Sequence, residues 1–168
     1  SNETPWGTMK FLHHSNISLT PRVQSIQNAY NLLNRTFEIG GSEIAHREDV
    51  GLLAYSPLAQ GYLTGKYQNG ELPKGSRKEL FNRLQRYEGP YAEEAIEDYL
   101  SIAKKYNIDP SQLANQFVTT RPFVTSNIIG ATNMKQLKLA VTSIEIDLTK
   151  EIEDEIEKAF QKHGNVAS

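Results

Sequence analysis

Three short strand-like runs, each closed by turn-forming residues and separated by stretches of helical period, constrain this chain most. Arg22–Gln27 alternates as a strand does and is framed by Pro21 and Asn28. Leu52–Tyr55 continues the apolar run Val50 to Ala54 and stops at a proline; Ser126–Ile129 stops at Gly130. Strands alternating with helices imply parallel pairing, with helices as the crossovers. Three parallel strands alone leave two unpaired edges, a poor stopping point for a stable sheet. The expectation is therefore that another chain completes the sheet, or that these 168 residues are a portion of a larger fold.

The helices announce themselves through caps and period. Thr4-Pro5 is a good helix start, and the helix should run through Met9, Phe11 and Leu12 and end before Ser18. Phe37, Ile39, Ile44 and Ala45 suggest a second helix capped by Thr36 and interrupted at Gly40-Gly41. Ala95, Ile96, Tyr99, Leu100 and Ala103 recur at helical spacing over Ala92 to Tyr106, with acids early and Lys104-Lys105 late. Asp109-Pro110 opens a further helix that Arg121-Pro122 stops. Asn133 caps one carrying Leu137, Val141 and Ile144, and Thr149 caps Glu151 to Lys162. Trp6 and Phe11 are expected to be packing residues, with contact to a bound small molecule the alternative for Trp6.

The second strand runs into Tyr55-Ser56-Pro57-Leu58-Ala59-Gln60-Gly61-Tyr62-Leu63-Thr64-Gly65-Lys66-Tyr67. An aromatic ring at a strand end, a hydroxyl beside it and a lysine beyond suit a flat, phosphorylated ligand. The ring can stack, Gly61 and Gly65 let backbone approach closely, and Lys66 can meet a phosphate. Taken alone, Tyr55 could equally be a core aromatic, and Lys66 and Arg77 solvated surface charges. Gln68 to Pro90 shows no clear period. Its Lys74, Arg77, Lys78, Arg83 and Arg86 stand against Glu71, Glu79 and Glu88, a small basic excess in a chain of formal charge −2.

Composition excludes several classes. With no cysteine there are no disulfides and no thiolate metal sites. The near-neutral charge gives no pull toward nucleic acid or an anionic membrane, and no apolar stretch is long enough to span a bilayer. A cytoplasmic location is expected, and Asn16-Ile17-Ser18 and Asn34-Arg35-Thr36 are read as accidental glycosylation triplets. His13 and His14 point about 100° apart on a helix, so they cannot share a metal; His46 and His163 have no partner at ligand spacing. Glu93, Glu94, Glu97 and Asp98 read as a solvated helix face.

Four segments taken in order carry a family resemblance: Ser1-Asn2-Glu3-Thr4, Gln27 to Arg35, the Tyr55 to Tyr67 block, and Gly130 to Leu137. Over nearly its whole length the chain resembles the C-terminal half of an aldo-keto reductase, particularly the bacterial Tas-type proteins and the potassium-channel β subunits. The resemblance implies an α/β fold, the C-terminal part of a (β/α)8 TIM barrel in which residues 1–168 supply strands six to eight of one domain. It also implies NADPH-dependent reduction of aldehydes or ketones to alcohols, with NADP(H) as cofactor and a small-molecule carbonyl as substrate. Ser1, Asn2 and Gln27 would bond the nicotinamide carboxamide, and Tyr55 would stack on the ring. Ser56, Leu58, Gly61 and Lys66 would line the pyrophosphate. Arg77, in the long cofactor-covering loop 68–90, would cover the adenosine, and Gly130, Thr132 and Gln136 would hold the ribose and its 2′-phosphate.

Two departures qualify this. Family members often end the adenosine motif with Glu-Asn or Asn, where this chain has Leu139 and Ala140. The family's catalytic Asp, Tyr, Lys and His lie on earlier strands, so no catalytic residue falls in this chain and the chain alone is expected to be inactive. No metal is implied. Expected partners are the missing N-terminal half of the barrel or a second copy by self-association. The alternatives are an NADP(H)-binding regulatory module like a channel β subunit, or an inactive truncated product.

Overall fold

The structure is a computed structural model that describes residues 1–18, 20–81 and 85–167. Arg83, one of the basic residues of the long loop, lies outside the described residues. Strands β1 (Ser25–Ala29), β2 (Gly51–Tyr55) and β3 (Val124–Ile128) form one parallel sheet in the order β1-β2-β3. In register, Gln27 faces Leu53 and Ala29 faces Tyr55 across one pairing, while Tyr55 faces Ile128 across the other. The β2–β3 ladder slips between Leu52 and Leu53. Gly51 permits the slip, since a Cβ there would lie 1.8 Å from Thr125 Oγ1.

Helices α1 (Pro5–Ser18), α2 (Gly41–Glu48), α3 (Arg77–Phe81), α4 (Ala92–Lys105), α5 (Pro110–Thr119), α6 (Met134–Thr142) and α7 (Lys150–His163) complete the chain. The Thr4 hydroxyl accepts from Gly7 N at 3.1 Å, and Asp109 and Asn133 cap α5 and α6 through their side chains. One sheet face buries Ile26, Leu52 and Ala54 in a core with Tyr30, Leu33, Ile96, Phe117 and Ile156. Tyr30 stacks on Phe117 at 5.8 Å and meets Phe123 edge-on at 5.2 Å. The other face carries Gln27, Leu53, Tyr55 and Ser126, which are half-buried or exposed.

Several local expectations need correction. The first strand begins at Ser25 and continues through Asn28 to Ala29, because those residues find backbone partners on β2. The second helical segment splits into a 3-10 turn, Thr36–Glu38, and α2, with Gly40 at a left-handed φ of 90° between them. The aperiodic 68–90 stretch contains the short helix α3 and the 3-10 turns Gln68–Gly70 and Gln85–Tyr87. Trp6 and Phe11 are not packed: they are 72% and 56% exposed. Val141 and Ile144 are also exposed, so the outer flanks at α1 and beyond β3 both present apolar surface.

Asp98 is no solvated bystander, since its Oδ2 meets Lys162 Nζ at 2.8 Å and His163 Nε2 at 2.7 Å, joining α4 to α7. Hydrogen bonding from Lys162, then from His163, holds its carboxyl below the usual range. Such a carboxylate stabilises the fold above its unfolded pKa and stops doing so as pH falls through the depressed folded value. Asp98→Asn is therefore expected to lower the melting temperature by about 2–4 °C at pH 7, with the difference closing in strong acid. Melts of both proteins across pH 2–7 check this.

Beyond α7 the chain returns to the sheet. Ala167 N donates to Leu33 O at 3.1 Å, and Asn165 Oδ1 accepts from Arg35 N at 2.6 Å. The tail thus closes the turn that follows β1.

Candidate functional site

A parallel sheet gathers its loops at the C-terminal ends of its strands, where α/β folds hold ligands. Here three expected residues converge. Tyr55, the last residue of β2, donates from its hydroxyl to Asn2 Oδ1 at 2.8 Å, and Asn2 N donates to Gln27 O at 3.0 Å. That backbone bond is the kind a further parallel strand would make along the free edge of β1. Asn2 has a left-handed φ of 56°, and Ser1 precedes it, exposed. Gln27 is exposed and Tyr55 half-buried, so two amides and an aromatic ring share one accessible shelf.

A second group occupies the loop after β2. Ser56, Ala59, Gln60 and Gly61 all have positive φ, an unusual density of left-handed backbone. Gly61 suits its φ of 104°, and a Cβ there would lie 2.7 Å from Lys66 Cε, displacing the lysine end. The lysine stem therefore lies against the bare backbone at Gly61, and Leu58, half-buried, packs on the core behind. The third group sits ahead of α6. Gly130 is exposed, and Gln136 Oε1 accepts from Thr132 N at 2.8 Å and from Thr132 Oγ1 at 3.0 Å. No hydrogen bond among the described residues joins this third group to the first. Arg77 stands exposed at the start of α3, away from both in bonding.

The two cavities described lie elsewhere. One of about 240 Å³ is enclosed by α1, α2 and β1 around Thr8, Asn28, Phe37 and Ile44; a wider one borders Gln68, Tyr91 and Glu94. Among the described residues no group of three or more metal-ligating side chains forms, and no helix is long and apolar enough to cross a membrane.

The sequence reading assigned no site role to the residues that pin the loops. Asn31, fully buried, accepts from Leu33 N and Asn34 N at 3.0 Å each and donates from Nδ2 to Ser56 O at 2.9 Å and to Tyr87 Oη at 3.1 Å. Tyr87 is 1% exposed. Glu88 pairs with Lys78 at 2.7 Å and accepts from the Tyr62 hydroxyl, so the far end of the long segment is tied both to its own middle and to the loop after β2. Bonding from Lys78, then from Tyr62, holds the Glu88 carboxyl below its usual range. Arg86, next to the anchored Tyr87, lies beside the Tyr55 hydroxyl, which favours its charged form. The one sequence signal for these anchors is a polar Asn31 inside the apolar run from Tyr30 to Leu33.

The strand ends of this parallel α/β sheet thus carry an aromatic ring, two amides and a glycine–lysine loop. The model of the Aldo/keto reductase family matches residues 1–161. Protein tas of Escherichia coli K12 is 46% identical over 161 residues, covering 96% of this chain and 46% of that protein. An aldo-keto reductase of Babesia bovis is 40% identical over 82% of this chain and 50% of its own length. A putative voltage-gated potassium channel subunit beta of Schizosaccharomyces pombe is 35% identical over 79% of this chain and 40% of its own. The chain belongs to the aldo/keto reductase family. It spans about half the length of the curated relatives it matches.

Proposed function

We propose that this chain is the C-terminal, cofactor-binding part of an NADPH-dependent aldo-keto reductase that converts aldehydes or ketones to alcohols. In this reading β1, β2 and β3 are the last three strands of a (β/α)8 barrel, and residues 1–168 form a portion of one domain with 68–90 as its cofactor-side loop. The observation that carries it is the meeting of Tyr55, Asn2 and Gln27 on one shelf at the strand ends.

The residues fit a pyridine dinucleotide. Tyr55 offers a ring held at its hydroxyl, able to stack at low entropic cost. The amides of Asn2 and Gln27, with the Ser1 hydroxyl, supply the donors and acceptors that a carboxamide needs. The left-handed run through Ser56 and Gly61 turns backbone outward without a side chain in the way, and Lys66 lies over it as a cation. Gly130 and Thr132 lie just ahead of α6, whose N-terminus favours a phosphate, while Arg77 and the loop add positive charge. When bound, NADPH supplies the hydride. Proton delivery to the carbonyl oxygen falls to residues of the preceding half, as does most of the substrate pocket.

The exposed apolar flanks and the free edge of β1 support the same reading, because a preceding half-barrel would cover them. The regulatory alternative, an NADP(H)-binding module sensed by a partner, is favoured by the likeness to the channel β subunits. Loss of NADPH absorbance with 4-nitrobenzaldehyde separates the two. The intact protein containing this chain is expected to turn over, the 168 residues alone are not, and Tyr55→Ala should weaken NADPH binding by roughly tenfold or more. Binding without turnover by the intact protein would favour the module, and no binding at all would overturn both.

A further inference from the structure

We infer that Tyr67 is a positioning residue of the dinucleotide site, holding the Lys66 ammonium in place through the face of its ring. The inference rests on the reading of Lys66 as the cation that meets the phosphates, and it adds what fixes that cation. Lysine carries its charge on a flexible four-carbon stem, so an ammonium aimed at an anion has to be confined. Both ends of this stem are. At its base, the Thr64 hydroxyl donates to Gly61 O at 2.8 Å and accepts from Lys66 N at 3.4 Å. At its tip, Nζ lies 5.0 Å from the centre of the Tyr67 ring. A Cβ at Gly61 would lie 2.9 Å from Lys66 Nζ and 3.4 Å from Tyr67 Cε2, so the ammonium and the ring edge both border the bare backbone there.

The ring is a fixed platform. Tyr67 is buried, its ring packs on Tyr62 with centroids 4.8 Å apart, and its hydroxyl accepts from Lys78 N at 3.2 Å. Lys78 also sends its Nζ to within 5.8 Å of the same ring, but that charge is already paired with Glu88 at 2.7 Å. Lys66 has no carboxylate partner among the described ion pairs, so of the two ammonium groups over this ring it is the one left to an incoming anion. The ring attracts the ammonium without neutralising it, as a carboxylate would.

Titration of the intact protein containing this chain with NADPH, followed by the nucleotide's fluorescence at several salt concentrations, tests this. Tyr67→Met, which fills the space without a ring, should raise Kd about fivefold, while Tyr67→Phe, which keeps the ring, should stay within about twofold. Lys66→Gln should raise Kd about tenfold and flatten its dependence on salt. The double variant Lys66→Gln, Tyr67→Met should match Lys66→Gln alone, since the ring acts only through the ammonium. Tyr67→Leu serves if Tyr67→Met does not fold. An unchanged Kd for Tyr67→Met beside a raised one for Lys66→Gln would overturn the inference alone. So would losses that multiply in the double variant, or a loss in Tyr67→Phe as large as in Tyr67→Met. Failure of the wild-type protein to bind NADPH, or an unchanged Kd for Lys66→Gln, would overturn the reading of the site and this inference with it.

Discussion

Arg35→Ala is expected to lower the unfolding free energy by about 3–5 kcal/mol, the usual cost of breaking a buried ion pair from one side. Arg35 is 8% exposed and grips Glu38 with two nitrogens at 2.7 and 2.8 Å, while a third meets Glu157 at 2.9 Å. Its guanidinium also lies over the Phe160 ring at 3.9 Å. Burial opposes this charge, but the bonds to Glu38 and Glu157 outweigh it and hold the guanidinium above its usual range. Truncation leaves Glu38 half-buried with the Tyr30 hydroxyl as its remaining partner, and it cuts the link between the turn after β1 and α7. Arg35→Lys should recover only part of the loss, because an ammonium cannot bind a carboxylate through two parallel bonds. Urea denaturation of the three proteins decides; a loss below about 1 kcal/mol would show that solvent already screens the network.

Asn31→Ala should cost about 2–4 kcal/mol and, unlike the Arg35 change, should loosen the ligand side of the molecule. Three groups lose their side-chain partner at once: Leu33 N, Ser56 O and the buried Tyr87 hydroxyl. Each buried group left unpaired costs about 1–3 kcal/mol, less whatever water recovers. Asn34 N still reaches Asn31 O, so the turn itself should survive. Release of Ser56 and Tyr87 should expose 68–90, seen as faster proteolytic cleavage within that segment under native conditions. Asn31→Asp keeps both acceptor bonds, can accept in turn from the Tyr87 hydroxyl, and loses the bond to Ser56 O. Cleavage as fast as in Asn31→Ala would show that the Nδ2 bond to Ser56 O is what holds the loop. Unchanged cleavage in both variants would leave Asn31 a turn residue only.

Most of the element order was legible because caps and period are local properties. Thr4, Asp109 and Asn133 cap where their side chains suggest, and α4 spans Ala92–Lys105 against an expectation of Ala92 to Tyr106. Burial was less legible. Period tells which residues share a face but not whether anything covers that face, which is why Trp6 and Phe11 come out exposed. Strand limits depend on the neighbour as well, and β1 runs on to Ala29 because β2 offers it partners as far as Tyr55. Within the site, the residues taken from the family resemblance form three groups, and no hydrogen bond among the described residues joins Thr132 and Gln136 to the group of Asn2, Gln27 and Tyr55. Tyr87 gave no signal, since nothing in an aperiodic charged stretch says which aromatic will be buried against Asn31.

The return of the tail to the β1 turn has a bearing on biosynthesis. Arg35 and Asn165 are separated by 130 positions, so on a chain made from its N-terminus the turn waits for a long following stretch to be synthesised before it meets its partner. Until then the carboxylate of Glu157 and the amide of Asn165 are both missing, and Arg35 must rely on nearby Glu38. Nascent intermediates of this protein should therefore be weakest next to the very shelf proposed to hold the nucleotide, a place where chaperones would find unprotected chain.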